Sequence, residues 1–129
     1  KKNKTNFEKN KVSMKIFCFD LDGVVCKTKQ NKYSSAKPVK KVIDLINKLY
    51  EKNKIIIFTA RYMGRSGDQV GLAKKRGYKL TKKQLKKWNL KYHKLIMGKP
   101  SFDVFVDNKN FEFSKNWLIK FKKRFKKEF

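Results

Sequence analysis

Acidic residues are scarce in this chain: 10 Asp and Glu stand against 36 Lys and Arg, a formal charge of +26 at pH 7 over 129 residues. Such an excess points to nucleic acid, an anionic membrane or an anionic substrate. Arginine is also scarce, 4 against 32 lysines. That argues against a dedicated nucleic-acid reader, which relies on arginine's planar fork. Lysine with abundant Asn, Ile and Phe instead fits the codon bias of an AT-rich genome, so nucleic-acid binding is expected to be non-specific. The 2 cysteines, Cys18 and Cys26, have neither metal-ligand spacing nor the makings of a disulfide framework. They are expected to be reduced and packed in a cytoplasmic protein. No apolar run approaches a membrane span, no signal peptide is visible, and there is no internal repeat. Apolar content of 40% and aromatic content of 14% exclude disorder throughout. The length suits one domain. Met14 directly precedes the first expected strand, so residues 1–13 are expected to be a flexible basic arm and residues 14–129 the domain.

The most informative segment is Phe19-Asp20-Leu21-Asp22-Gly23-Val24-Val25, entered from Ile16-Phe17-Cys18. Side chains two apart on a strand point the same way, so Asp20 and Asp22 project toward one spot just past its end. Two carboxylates that close are costly without a cation or a shared proton. A strand end carrying that cost reads as a site. Gly23 lets the backbone approach a ligand or take positive φ.

Further along, 24–37 is polar and aperiodic, which predicts a short flap or hairpin, and Pro38 fits the first turn of a helix. Val39, Val42, Ile43, Ile46, Leu49 and Tyr50 form a helical stripe. Lys54 to Phe58 reads as a buried parallel strand, ending in Thr59-Ala60-Arg61. A glycine-containing loop follows. Thr81-Lys82-Lys83-Gln84 reads as a capping box opening a helix through Trp88. Tyr92 to Met97 predicts a third strand, broken by Gly98-Lys99-Pro100, and Phe102 to Val106 a fourth, ending at Asp107-Asn108. A last helix over 114–127 carries Trp117, Phe121 and Phe125 on one face, for docking on the sheet. Strands alternating with helices predict an α/β domain with a parallel sheet. Ligands of such sheets lie beyond the strands' carboxyl ends, where Asp20, Thr59, Lys99 and Asp107 all fall. Asp103 is excluded because four strand residues, about 13 Å, separate it from that edge. His93 reads as structural.

A carboxylate nucleophile, a second carboxyl, a hydroxyl, a lysine and a distant acid suit phosphoryl transfer. Mg²⁺ prefers one or two carboxylates together with phosphate oxygens and water. Asp20 can attack phosphorus while Asp22 acts as acid and then base, with Thr59 and Lys99 on the phosphoryl oxygens. Arg61 is placed either to bind a substrate anion or to pair at the surface.

These residues, in this order, resemble the haloacid dehalogenase superfamily of phosphatases: DxDGxx at Asp20 to Val25, Thr59 after the second strand, Lys99, and Asp107 after the last strand. The match is closer to its small capsule-biosynthesis phosphatases, through Thr59-Ala60-Arg61, Thr81 to Trp88, Lys91-Tyr92-His93, Gly98-Lys99-Pro100 and Asp107-Asn108-Lys109-Asn110. The resemblance spans about residues 14–110. It implies a Rossmann-like three-layer α/β/α domain with a central parallel sheet and little or no cap. It implies Mg²⁺ at Asp20, Asp22, Asp107 and Asn108, and substrate against Gly23, Ala60 and Arg61. The implied substrate is a small phosphorylated metabolite, such as a sugar phosphate of surface-polysaccharide biosynthesis. Asn108 departs from the usual second Asp, which removes one charge from the metal set. Two rivals stand beside this reading: a polynucleotide phosphatase on the same fold, and a non-catalytic basic module for nucleic acid or other anions.

Overall fold

A computed structural model describes residues 14–129; the expected basic arm over 1–13 lies outside the described residues. In chain order the elements are β1 (Ile16–Asp20), β2 (Cys26–Lys27), β3 (Lys37–Pro38), α1 (Lys40–Tyr50), β4 (Lys54–Thr59), α2 (Val70–Lys87), β5 (Lys94–Met97) and α3 (Trp117–Arg124). β1, β4 and β5 form a parallel sheet in the order β1-β4-β5. Asp20 stands opposite Phe58, and Thr59 opposite Met97, so the three carboxyl ends finish side by side. β2 and β3 pair antiparallel as the expected hairpin. Pro38 lies in β3, on a two-residue strand that tolerates a missing donor, and α1 begins only at Lys40.

Alternation decides the burial. Phe17, Phe19, Ile55 and Ile57 point into one core with Val42, Ile43, Leu45, Ile46 and Leu49 of α1 and Trp117 and Phe121 of α3. Phe121 closes it, with ring centroids 5.6 Å from Phe17 and 5.9 Å from Trp117. Burying one such ring contributes about 1.5–3 kcal/mol. On the opposite face Ile16 and Ile96 are exposed and Ile56 and Phe58 only half-buried. The described residues therefore give an α/β fold with a three-stranded parallel sheet and its buried apolar helix faces in one cluster.

Two further expectations fail. Thr81 opens no helix: it is buried well inside α2, whose 18 residues start at Val70. Residues 102–106 form no strand, and every residue of 101–110 is exposed, Val106 to 92%. Gly98 turns the chain at φ +102, and Pro100 has no N–H for a ladder. The rings of Phe102 and Phe105 then gather on the Lys99 ammonium, at 5.4 and 5.6 Å, so the run curls around this cation.

Candidate functional site

Asp20 ends β1 half-exposed. Its Oδ1 accepts the Leu21 N–H at 2.8 Å, and its Oδ2 lies 3.4 Å from Lys99 Nζ. Burial pushes its pKa above the usual carboxylate value; Lys99 and the Leu21 N–H oppose that, and Asp22 adds to it. Lys99 reaches this position because Gly98 holds positive φ while packed on α2, where a Cβ would stand 2.7 Å from Val70 Cγ1. Its own N–H donates to the Thr59 carbonyl at 3.1 Å. Thr59, 1% exposed, accepts the Arg61 N–H on its hydroxyl at 3.1 Å. Asp20, Thr59 and Lys99 thus meet at the carboxyl edge, as the sequence predicts. Gly23 takes φ +89 with nothing within 4 Å of a built Cβ, so backbone conformation, not crowding, calls for glycine there. It starts a turn in which the Leu21 carbonyl accepts from Val24, Val25 and Cys26. Ala60 is half-buried in the loop after β4.

Arg61 requires a correction. It neither lies at the surface nor offers its guanidinium to a substrate: the side chain is fully buried. Nε donates to Asp22 Oδ2 at 2.9 Å and Nη2 to Asp22 Oδ1 at 3.0 Å. Nη1 donates to Gln84 Oε1 at 2.5 Å and to Thr81 Oγ1 at 3.3 Å. The Tyr33 ring lies 5.0 Å from the guanidinium carbon. The Thr28 hydroxyl also donates to Asp22 Oδ1. Asp22 is therefore held as an acceptor from two sides. Sequence reasoning missed this socket by reading Thr81 and Gln84 as a helix start. The usable signal was two polar side chains three apart, hence on one helical face. His93 is structural: its ring Nδ1 accepts the Ile55 N–H at 3.0 Å, and its backbone N–H donates to the Ile55 carbonyl at 2.9 Å. Cys26 is buried, its thiol pushed up to about 11 by burial and then by Asp22. Cys18 is exposed, not packed.

The expected metal set does not come together. Among the described residues no group of three or more His, Cys, Asp and Glu gathers as a metal site. Both oxygens of Asp22 are taken. The Asp107 carboxylate accepts the Lys109 N–H at 3.0 Å from an exposed segment, and Asn108 lies beside it, also exposed. Asp20 alone fits: it is a half-buried carboxylate whose charge a cation would stabilise. A groove of about 750 Å³ between α1 and α3, lined by Lys41, Lys48, Lys115 and Lys122 among others, contains none of these residues.

No family model and no curated protein matches the chain. A crystal structure of a structural-genomics target from Vibrio cholerae is similar over 90% of this chain and 100% of its own, at 24% identity and TM-score 0.74; that likeness concerns the fold. A chain in the Pnkp1/Rnl/Hen1 RNA repair complex aligns over 87% of this chain and 31% of its own, at 14% identity and TM-score 0.47, too distant to carry an argument. Among the described residues no helix is long and apolar enough to cross a membrane.

Proposed function

We propose that this chain is a phosphomonoester hydrolase of the haloacid dehalogenase type, working through an aspartyl-phosphate on Asp20. The observation that carries the reading is the Asp20–Lys99 pair, 3.4 Å apart, beside Thr59 at the ends of parallel strands. An Asp20 oxygen attacks phosphorus, and the bond to the leaving oxygen breaks. Asp22, protonated on Oδ1 once the Thr28 hydroxyl turns from donating to that oxygen, gives the leaving oxygen its proton. Water then attacks the phosphoryl group, Asp22 takes a proton from that water, and the Asp20–phosphorus bond breaks to release phosphate. Lys99 and the Thr59 hydroxyl stabilise the phosphoryl oxygens as charge builds.

Mg²⁺ is the cofactor of this proposal and supplies charge neutralisation at the phosphate. Asp20 is the ligand in place for it; Asp107 enters on the order of the motifs, not on a contact. Only the short hairpin β2–β3 and a single 3-10 turn separate the first motif from α1, which supports a Rossmann-like domain with little or no cap and an open site. Resemblance points the substrate toward a small sugar phosphate of surface-polysaccharide biosynthesis, and reduced cysteines toward the cytoplasm. One observation favours a polynucleotide substrate: α2 exposes Lys74, Lys75, Lys79, Lys82, Lys83, Lys86 and Lys87. The test is phosphate release with Mg²⁺ over a panel of sugar phosphates and 3′-phosphorylated oligonucleotides. Sugar phosphates turning over fastest supports the proposal, oligonucleotides doing so promotes the second reading, and no release from any ester refutes both.

A further inference from the structure

We propose that Arg61 is a positioning residue for Asp22, and that Gln84 locks both Arg61 and the hairpin segment around Tyr33 to α2. The proposal deepens the phosphatase reading and rests on it. A fully buried guanidinium is tolerated only where its donors find acceptors. Arg61 places its Nε and Nη2 on the two oxygens of Asp22, and its Nη1 on Gln84 and Thr81. Gln84 uses both ends of its amide: the oxygen accepts from Arg61, and the nitrogen donates to the Tyr33 carbonyl at 2.6 Å. Reversing that amide would set donor against donor, so its orientation is fixed.

The chain of contacts therefore runs from the hairpin through Gln84 and Arg61 to Asp22, and Thr28 of the same hairpin reaches Asp22 from the other side. A general acid or base must stay within hydrogen-bond reach of the moving proton. Here two elements distant in sequence set the rotamer of that carboxylate. Lysine cannot replace the fork, since it offers one point charge where the carboxylate is gripped at two oxygens.

The experiment uses the full chain, p-nitrophenyl phosphate as substrate and Mg²⁺ in the buffer. Arg61→Lys is expected to lower kcat by on the order of 10²-fold, the scale of a small misplacement of a reacting group, with KM within a few-fold. Gln84→Met, the milder variant in case Arg61→Lys does not fold, is expected to lower kcat about tenfold, on the loss of one hydrogen bond at each end of the amide. Thermal melting of each variant separates loss of fold from loss of rate. The independent readout is proton–nitrogen NMR of the Arg61 Nε–H. It is expected to exchange slowly with water in the wild type and to shift in Asp22→Asn. If the wild type hydrolyses no phosphomonoester while this signal behaves as expected, the phosphatase reading falls and the Arg61–Asp22 lock stands. Folded variants that keep kcat, or that raise KM alone, overturn the proposal. So does an Arg61 signal that exchanges as fast as that of exposed Arg124.

Discussion

Replacing Gly77 with alanine sets two effects of known size against each other. Gly77 is interior to α2, and a helix-interior glycine is about 1 kcal/mol worse than alanine, so propensity alone favours the substitution. A Cβ at 77, however, would stand 2.2 Å from Tyr62 Cδ2 and 2.5 Å from Cε2. These are ring atoms, not the free end of a flexible chain. The ring cannot swing aside cheaply: it lies 4.8 Å from the Tyr33 ring, with the Arg65 guanidinium 5.1 Å over it. Tyr62 also sits at φ +65, already a costly conformation for a bulky residue. Overpacking of this kind costs about 1–3 kcal/mol. The clash wins, with a net loss of about 1 kcal/mol, which lowers Tm by roughly 3–6 °C in a domain of this size. Because Tyr62 follows Arg61 directly, kcat should fall as well. Urea and thermal unfolding by circular dichroism, with p-nitrophenyl phosphate turnover on the same samples, measure both. A variant as stable as wild type or more so, with unchanged kcat, would refute the reasoning.

Other outcomes follow from the same contacts. Lys99→Met removes the main charge holding down the pKa of Asp20; kcat is expected to fall by on the order of 10²-fold or more, and the acid limb of the pH–rate profile to move to higher pH. An unmoved limb in an active variant would separate Lys99 from the nucleophile. Asp20→Asn tests the burial of that charge. The folded-state pKa of Asp20 is raised, so its stabilising contribution is complete below the unfolded value and lost as pH rises through the folded one. The variant should therefore melt at or above the wild-type temperature at pH 7, with the gap closing in acid; a gap that widens in acid contradicts this. Asp107→Asn leaves the turn to Lys109 intact, since an amide oxygen accepts the same N–H, so Tm is expected to hold. The Mg²⁺ concentration for half-maximal rate should rise about tenfold or more with the lost carboxylate; superimposable titrations would remove Asp107 from the metal set.

What the sequence reveals and what it hides divide along local and tertiary lines. The alternation of β1 and β4, the stripe of α1, and the Asp20, Thr59 and Lys99 strand ends are readable because each depends on neighbours in the chain. The buried socket is not: Arg61 and Gln84 are 23 residues apart and meet only once α2 packs beside β5. The start of α2 was hidden by Gly71, which falls in the glycine-containing loop that the sequence predicts after Arg61. In the fold Gly77 leaves room for the Tyr62 ring. The run Phe102 to Val106 has a strand's composition, yet two of its rings settle on Lys99 and all its residues stay exposed. That choice is made by a cation lying just before the run and by the turn at Gly98, not by apolar content.

The central claim is that Asp20 carries the phosphoryl group. Wild-type, Asp22→Asn and Asp20→Asn proteins can be mixed with p-nitrophenyl phosphate and Mg²⁺, quenched in acid, digested and analysed by mass spectrometry. The account predicts one phosphoryl group on the peptide containing Asp20, trace in the wild type, accumulated in Asp22→Asn where the water-activating carboxylate is gone, and absent from Asp20→Asn, which should also lose at least about 10³-fold in turnover. Phosphate release with no phosphoryl on that peptide, or folded Asp20→Asn protein turning over near the wild-type rate, would contradict it.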